Sequence, residues 1–154
     1  MKEVIDYLID NKISISTMES CTGGGVVNAI TNIEGASEVL KFSAVTYSNE
    51  YKIKMGVNSE TINKYSVYSM EVAQEMAKSI SCFTNSDIGI GITGKLNRAD
   101  INNKFGNDNQ VFISIFYNDS YYDKGLLVTK ETRKENKEVI IEEITKILKE
   151  LLWK

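Results

Sequence analysis

The sequence predicts a three-layer α/β/α sandwich built around a mixed, mostly parallel sheet. Helices alternate with strands along the first part of the chain, and two later strands have the spacing of a hairpin. Before this hairpin, the sequence contains a short apolar segment with interspersed glycines, which is typical of a buried central strand. The 154 residues contain no proline and no low-complexity segment that would mark a linker, so we expect a single domain over residues 1–154.

The elements of the first half follow from the spacing of apolar residues. Apolar residues at helical spacing predict a helix within residues 1–11, and period-two alternation predicts a strand at residues 13–18. A glycine run comes next and opens a predicted helix at residues 26–31. Residues 42–47 predict a second strand, and residues 49–54 predict a short helical turn.

The second half alternates in the same way before it ends in a hairpin and a helix. A serine cap and an apolar face predict a helix over residues 69–82, and residues 87–93 form the glycine-containing central strand. Residues 111–117 and 121–129 predict the hairpin. Residues 134–153 predict a long amphipathic helix.

Composition excludes several function classes. The formal net charge is −3 with scattered Lys and Arg, so we expect neither nucleic acid nor a membrane surface as a partner. No apolar run approaches the roughly 20 residues of a membrane span, and acidic residues within positions 1–6 are atypical of a secretion signal. We therefore expect a cytoplasmic protein. Cys21 and Cys82 have neither metal-ligand nor disulfide spacing, and we expect both to be reduced thiols.

The chain contains no histidine, and this limits the chemistry that it can perform. Every mechanism with an imidazole base is excluded, including Ser-His-Asp and Cys-His arrangements. Covalent catalysis would need another base, and lysine is the usual substitute because a desolvated ammonium group loses its proton readily. The predicted chemistry requires neither a metal nor a cofactor.

The motif Glu19-Ser20-Cys21-Thr22-Gly23-Gly24 lies at a predicted strand-to-helix junction, where α/β folds keep their ligands. Backbone N–H groups at the start of a helix can stabilise an anion or a developing oxyanion, which suits a nucleophile at Ser20. The residues alone equally allow a tight turn with a hydroxyl side chain as helix cap. They also leave open whether Ser20 or Cys21 would be the nucleophile.

Several motifs occur in the order that they have in a known family. They are Glu19 to Gly24, Gly35-Ala36-Ser37, Val45-Thr46-Tyr47-Ser48-Asn49-Glu50 with Lys52, Gly56-Val57, Val72 to Ala77, and Thr93-Gly94. From about residue 13 to the final helix, the chain resembles the C-terminal domain of CinA and the nicotinamide-nucleotide amidases. The resemblance implies a compact α/β/α fold, a homo-oligomer, and hydrolysis of a small nucleotide substrate, nicotinamide mononucleotide, to nicotinic acid mononucleotide and ammonia.

The same resemblance implies catalytic roles for three residues. Ser20 corresponds to the nucleophile, and Lys52 and Tyr47 correspond to the activating lysine and tyrosine. As a neutral amine, Lys52 would accept the Ser20 proton while Tyr47 relays or positions it. The alternative is that Lys52 is a solvated charge and Tyr47 an amphipathic rim residue.

A second set of residues is expected to bind the substrate. It consists of Thr22, Gly23, Gly24, Thr93, Gly94 and Arg133. The resemblance implies that Thr93 and Gly94 offer a hydroxyl and a backbone N–H to the carboxamide or phosphate. The Arg133 guanidinium would suit the phosphate, although its charged surroundings equally fit an exposed helix start.

The chain departs from the family pattern after Thr93-Gly94. Where the family continues Ile-Ala-Gly-Pro, this chain has Lys95-Leu96-Asn97-Arg98, and segments 66–69 and 107–110 also differ. Loss of glycine is expected to restrict positive φ angles and close approach of N–H groups to phosphate. Lys95 or Arg98 could supply cationic contacts instead.

Residues 95–109 are rich in Asn, Asp and Lys, and we expect them to form an exposed, mobile loop. The altered segment at 95–110 motivates a second hypothesis. Under that hypothesis the protein is a catalytically weak or silent family member that binds a nucleotide or a protein partner.

Overall fold

The computed structural model describes residues 1–98, 101–102 and 106–153. In chain order, the α-helices found there are α1 Lys2–Asn11, α2 Gly25–Thr31, α3 Asn49–Lys54, α4 Ser59–Tyr65, α5 Met70–Thr84 and α6 Arg133–Leu152. The strands are β1 Ile15–Glu19, β2 Leu40–Val45, β3 Ile88–Gly94, β4 Gln110–Tyr117 and β5 Ser120–Leu127. A short 3-10 helix at Ala36–Glu38 precedes β2.

The five strands form one mixed sheet with the order β2-β1-β3-β4-β5. Strand β1 is parallel to both β2 and β3, whereas β4 is antiparallel to β3 and β5. Only β4 therefore runs against the other strands of this sheet, as predicted for a mixed and mostly parallel arrangement. Glu19 at the end of β1 pairs with Val45 of β2 and Ile92 of β3, so these three strands end at the same edge.

Helices cover both faces of the sheet, which confirms the three-layer prediction. On one face, α1, α2 and α6 pack with the isoleucines of β3 and β4 in one large apolar core. On the other face, α5 lies against β1, β3 and β4, and a smaller core joins it to α4. Burial of isoleucine side chains on one face and close helix packing on the other explains why β3 is buried along its whole length.

Glycines in β3 allow α5 to approach the sheet closely. A Cβ atom built on Gly91 would lie 2.1 Å from the carbonyl oxygen of Ala73 and 2.6 Å from the backbone nitrogen of Ala77. The corresponding atom on Gly89 would lie 2.0 Å from the Ala77 carbonyl oxygen. The alternation of isoleucine and glycine along β3 thus separates the two faces, one filled by side chains and the other by a helix backbone.

Two short elements were not predicted from the sequence. Helix α4 is capped by the Asn58 side chain, which accepts a hydrogen bond from Glu60 N, and it buries Ile62 as its only fully apolar anchor. Such a helix has too few apolar residues to produce a periodic pattern. The 3-10 helix begins after Gly35, whose φ of 82° is in the left-handed region.

Among the described residues, no helix combines the length and the apolar character that crossing a membrane requires.

We expect Gly91→Ala to lower the free energy of unfolding by roughly 3 kcal/mol, because the added methyl group would clash with the α5 backbone. Urea denaturation followed by circular dichroism measures this change. Gly125→Ala in β5 is the matched control, since a Cβ atom there would meet nothing within 4 Å. Equal losses of stability in the two variants would contradict the close approach of α5.

Candidate active site

A cavity of about 990 Å³ opens at the edge where the parallel strands end. Its described lining comes from the turn after β1, the segment from β2 into α3, the segment before α5, the loop after β3 and the start of α6. The lining residues are Ser20, Cys21, Tyr47, Ser48, Asn49, Lys52, Val67, Tyr68, Gly94, Lys95, Leu96, Arg98, Ile101, Asn102 and Arg133. The fold therefore converges on this cavity from five separate segments of the chain.

Ser20 and Lys52 are in direct contact at the cavity wall. The Nζ atom of Lys52 lies 3.0 Å from Oγ of Ser20 and 2.7 Å from the carbonyl oxygen of Thr46. Helix α3, whose N-cap is Ser48, carries Lys52 inward, and the lysine is only 1% exposed. The alternative that Lys52 is a solvated surface charge is therefore wrong. A buried amine beside a serine hydroxyl has the geometry of a general base and its nucleophile.

Tyr47 lies at the rim of the cavity instead of beside the reacting hydroxyl. Its side chain is 66% exposed, and its hydroxyl oxygen accepts a hydrogen bond of 3.3 Å from Nη2 of Arg133. The structure thus pairs Tyr47 with Arg133, whereas the expected relay needs a contact with Ser20 or Lys52. The rim position agrees with the alternative derived from sequence, and it places the ring where it can cover a bound ligand.

The carboxylate of Glu19 occupies the N-terminus of α2. Glu19 is completely buried, and its Oε2 atom accepts hydrogen bonds from Gly24 N at 3.1 Å and Val26 N at 3.1 Å. Its Oε1 atom accepts one from Val27 N at 2.7 Å. The hydroxyl of Thr22 also donates to Oε2 at 2.6 Å. A buried negative charge is thereby balanced by the helix dipole and by charge-assisted hydrogen bonds.

This arrangement corrects the expectation for Thr22, Gly23 and Gly24. We expected their N–H groups and hydroxyl to hold the substrate, but the internal carboxylate of Glu19 already takes the Thr22 hydroxyl and Gly24 N. Gly23 N donates instead to the Ser20 carbonyl oxygen at 2.9 Å. None of the three belongs to the described lining of the cavity. Their role in the structure is to shape the turn that presents Ser20.

Cys21 lines the cavity next to Ser20 but is a poor nucleophile. Burial raises the pKa of the Cys21 thiol to about 12, and the charges of Lys52 and Arg133 offset only part of this effect. A thiol with such a pKa is protonated at neutral pH, and the thiolate is the reactive species. The sequence alone left open whether Ser20 or Cys21 is the nucleophile, and this high pKa favours Ser20.

Thr93 and Gly94 lie at the end of β3, but only Gly94 belongs to the lining of the cavity. The Thr93 hydroxyl is buried and donates to the Val67 carbonyl oxygen at 2.9 Å, which contradicts the expectation that it faces the substrate. A Cβ atom on Gly94 would lie 2.7 Å from the Gln110 carbonyl oxygen. Glycine is therefore required at position 94 for close packing against β4.

Arg133 is the first residue of α6 and points toward the cavity. Its guanidinium group donates to the Leu96 carbonyl oxygen through Nη1 and to the Tyr47 hydroxyl through Nη2. The sequence predicted that the last helix begins at residue 134, just after Arg133, whereas α6 begins at Arg133 itself. Two anchoring contacts hold the guanidinium group between the loop after β3 and the segment after β2.

The loop after β3 differs from its prediction where it meets the cavity. Lys95 and Leu96 were expected to be exposed but are only 4% and 1% exposed. The Nζ atom of Lys95 donates to the Gly106 carbonyl oxygen at 3.2 Å and lies 5.2 Å from the centroid of the Tyr68 ring. The described residues 97, 98, 101, 102 and 106–108 are exposed as predicted, whereas Asn109 is partly buried. Positions 99, 100 and 103–105 of the predicted loop lie outside the described residues.

A family comparison adds an independent observation to this geometry. A model of the CinA C-terminal domain matches residues 1–152. The chain belongs to the CinA C-terminal domain family. The resemblance deduced from the Glu19 to Gly24 motif and the motifs after it is therefore confirmed.

Two relatives illustrate this membership. A protein of Clostridium perfringens strain SM101, provisionally named a competence-damage inducible protein, is 48% identical over 96 residues, which are 61% of this chain and 23% of the relative. A protein of Clostridium beijerinckii with the same provisional name is 49% identical over 92 residues, 59% of this chain and 22% of the relative. The match thus spans less than a quarter of the length of these relatives.

Solved structures of this superfamily share the fold. A CinA superfamily protein from Klebsiella pneumoniae has a TM-score of 0.90 at 23% identity, covering 98% of this chain and 94% of that one. A competence or damage-inducible protein from Enterobacter asburiae has a TM-score of 0.87 at 25% identity, covering 98% of this chain and 92% of that one. The α/β/α architecture is therefore that of CinA superfamily proteins.

The cavity of this CinA C-terminal domain is cationic although the whole chain has a net charge of −3. Its described lining includes Lys52, Lys95, Arg98 and Arg133, and it includes neither Asp nor Glu. Low-dielectric walls lined by one sign of charge concentrate ligands of the opposite sign. Within the described part of the chain, no cluster of three or more His, Cys, Asp or Glu side chains could hold a metal ion. The arrangement favours a small anionic ligand.

Sequence reasoning missed three features of this site. The Thr46 carbonyl oxygen that accepts from Lys52 has no signal in sequence, because any residue carries a carbonyl group. Glu19 belongs to the family motif, yet its capping role depends on contacts made by the folded turn. Tyr68 lies in a segment that differs from the family pattern, and its place beside Lys95 follows only from the path of the chain.

We expect Glu19→Gln to lower the free energy of unfolding by about 3 kcal/mol, because an amide NH2 group would face backbone donors that now bind a carboxylate. Chemical denaturation measures the loss. Glu50→Gln, which alters an exposed ion pair with Lys54, is the matched control and should change stability little. A Glu19→Gln variant as stable as Glu50→Gln would show that the internal anion is dispensable.

The two cysteines should differ in reactivity toward a thiol reagent such as 5,5′-dithiobis(2-nitrobenzoic acid). Near pH 8 we expect the exposed Cys82 of the native protein to react and Cys21 not to react, because Cys21 is buried and its pKa is about 12. Unfolding in guanidinium chloride should release the second thiol. In Cys82→Ser, native protein that still reacts rapidly would contradict the burial of Cys21.

Proposed function

We propose that this domain hydrolyses the carboxamide of nicotinamide mononucleotide, with Ser20 as nucleophile and Lys52 as base. The observation that carries the proposal is the 3.0 Å contact between Lys52 Nζ and Ser20 Oγ in a cationic cavity. A chain without histidine needs such a base for covalent amide cleavage. Membership of the CinA C-terminal domain family supports the same assignment.

The contacts of Lys52 suit the first step of this reaction. A neutral amine can donate one hydrogen to the Thr46 carbonyl oxygen while its lone pair accepts the Ser20 proton. Lys52 is only 1% exposed, so its contacts with Ser20 and Thr46 are shielded from bulk water. The Ser20 oxygen then attacks the carboxamide carbon. The backbone N–H of Cys21, which follows the nucleophile in the cavity wall, is the candidate donor to the oxyanion.

The same lysine serves the second half of the reaction. Protonated Lys52 transfers its proton to the amide nitrogen as the carbon–nitrogen bond breaks, and ammonia leaves an acyl ester on Ser20. Lys52 next removes a proton from water, whose oxygen attacks the ester carbonyl carbon. Collapse of this intermediate returns the proton to Ser20 Oγ and releases nicotinic acid mononucleotide.

The cavity has the size and charge for a phosphorylated nucleotide. Its volume of about 990 Å³ is at the upper end of the range for small-molecule sites. Arg133 can bind a phosphate through planar, bidentate hydrogen bonds. Tyr47 and Tyr68 line the same cavity and offer aromatic faces to the pyridine ring or ribose.

We expect Ser20→Ala and Lys52→Met each to reduce the release of ammonia from nicotinamide mononucleotide by about a thousandfold or more, because each removes a group of the covalent mechanism. Ammonia and nicotinic acid mononucleotide are measured together by a coupled assay and chromatography. Lys54→Met is the matched control, since Lys54 lies in the same helix but forms an exposed ion pair with Glu50.

Wild-type turnover that is no higher than that of folded Ser20→Ala would contradict the amidase proposal. A second candidate function, binding without turnover, is motivated by the altered segment 95–110. A thermal shift with nicotinamide mononucleotide separates the two outcomes, because a ligand that binds only the native state raises the melting temperature. A shift without product would favour a binding protein.

A further inference from the structure

The loop after β3 is connected to the start of α6 by a network of asparagine side chains. Asn97 donates from Nδ2 to the Glu131 carbonyl oxygen at 2.8 Å and to the Lys130 carbonyl oxygen at 3.3 Å. Asn136, which is completely buried in α6, donates to Oδ1 of Asn97 at 2.8 Å. Both hydrogen-bonding functions of the Asn97 amide are therefore used to join two segments that are distant in sequence.

The backbone of Asn97 is fixed as well. Its φ angle is 64°, in the left-handed region that glycine, asparagine and aspartate adopt most readily. Its N–H group donates to Oδ1 of Asn109 at 2.6 Å. Asn97 stands where the family pattern has glycine, so the expectation that losing this glycine restricts positive φ is wrong at this position. The asparagine keeps the glycine-like backbone and adds a side chain that binds α6.

Arg133 completes the connection from the opposite direction. It follows Glu131 by two residues, and its guanidinium group donates to the carbonyl oxygen of Leu96, the residue before Asn97. The loop thus holds the start of α6 through Asn97, and α6 holds the loop through Arg133. This pair of reciprocal contacts fixes the guanidinium group at the cavity, where Tyr47 accepts its other hydrogen bond.

We propose that Asn97 is a positioning residue that orders Arg133 for binding the anionic group of the ligand. Asn97 acts through the α6 start and the Leu96 carbonyl group, and it makes no contact of its own with the ligand. The ligand-binding part rests on the proposed function, whereas the ordering of Arg133 does not. Preorganised donors bind more tightly because less side-chain freedom is lost on binding.

The first test measures the order of Arg133 directly. The chain has only two arginines, Arg98 and Arg133, so their Nε–Hε resonances can be assigned with a single Arg98→Lys variant. We expect a high heteronuclear ¹⁵N NOE for Arg133 in the free protein and a marked loss of it in Asn97→Gly. Glycine adopts the left-handed backbone without strain, and the substitution removes the side chain with its hydrogen bonds. Asn85→Gly, at another left-handed asparagine that caps α5, is the matched control.

An Arg133 NOE that is unchanged in folded Asn97→Gly would overturn the proposal. The same experiment needs no substrate, so it remains decisive if nicotinamide mononucleotide is not turned over. Circular dichroism and the melting temperature establish that the variant is folded. A similar loss of order in Asn85→Gly would also overturn it, because the effect would then be a general loss of rigidity.

The second test measures binding of nicotinamide mononucleotide and of its dephosphorylated nucleoside by titration calorimetry. We expect Asn97→Gly to raise the Kd of the mononucleotide by roughly tenfold and to leave that of the nucleoside unchanged. In an Arg133→Met background, Asn97→Gly should have no further effect, because the residue acts through Arg133. An effect on both ligands, or an equal effect in that background, would contradict positioning. Absence of wild-type binding would refute the proposed ligand and leave the NMR result to decide the role of Asn97.

Discussion

The buried carboxylate of Glu19 is the interaction on which the candidate site depends. An isolated charge in a protein interior is costly, and here the first N–H groups of α2 and two threonine hydroxyls offset that cost. The same hydrogen bonds close the turn from β1 into α2, and this turn holds Ser20 just past the end of β1, which pairs with parallel strands on both sides. Helix N-termini commonly bind anions supplied by a ligand, whereas in this domain the chain supplies its own.

Because Glu19 accepts hydrogen bonds from the N–H groups at the start of α2, those groups are not available to bind a ligand. The negative charge of Glu19 is enclosed behind the turn, and the described cavity wall in front of it carries lysine and arginine side chains without a carboxylate. Lys52 comes from a segment 32 residues after Ser20 and is held by the Thr46 carbonyl oxygen. The anionic and cationic groups are thereby separated across the β1 turn, which explains how an acidic chain can form a cationic cavity.

Periodicity in the sequence was sufficient for the central strand β3 and the long helices, because apolar residues recur along them at regular spacing. Resemblance to the family located Ser20, Lys52 and Arg133 at the cavity. It did not anticipate that Thr22, Gly24 and Thr93 use their polar groups within the protein. Hydrogen-bond partners of this kind are set by tertiary contacts, and a motif identifies which residues are present without identifying what each one binds.

The loop after β3 shows why a changed motif need not abolish a site. A substitution of glycine is disruptive when the position needs a positive φ angle that the new residue resists. Asparagine tolerates that region, and at Asn97 its amide gains contacts that a glycine lacks. At Gly94 no such replacement is open, because any Cβ atom would collide with the Gln110 carbonyl group. These two positions, which are three residues apart, thus differ in the constraint that acts on them. One requires a backbone conformation, which asparagine satisfies, and the other requires empty space, which only glycine provides.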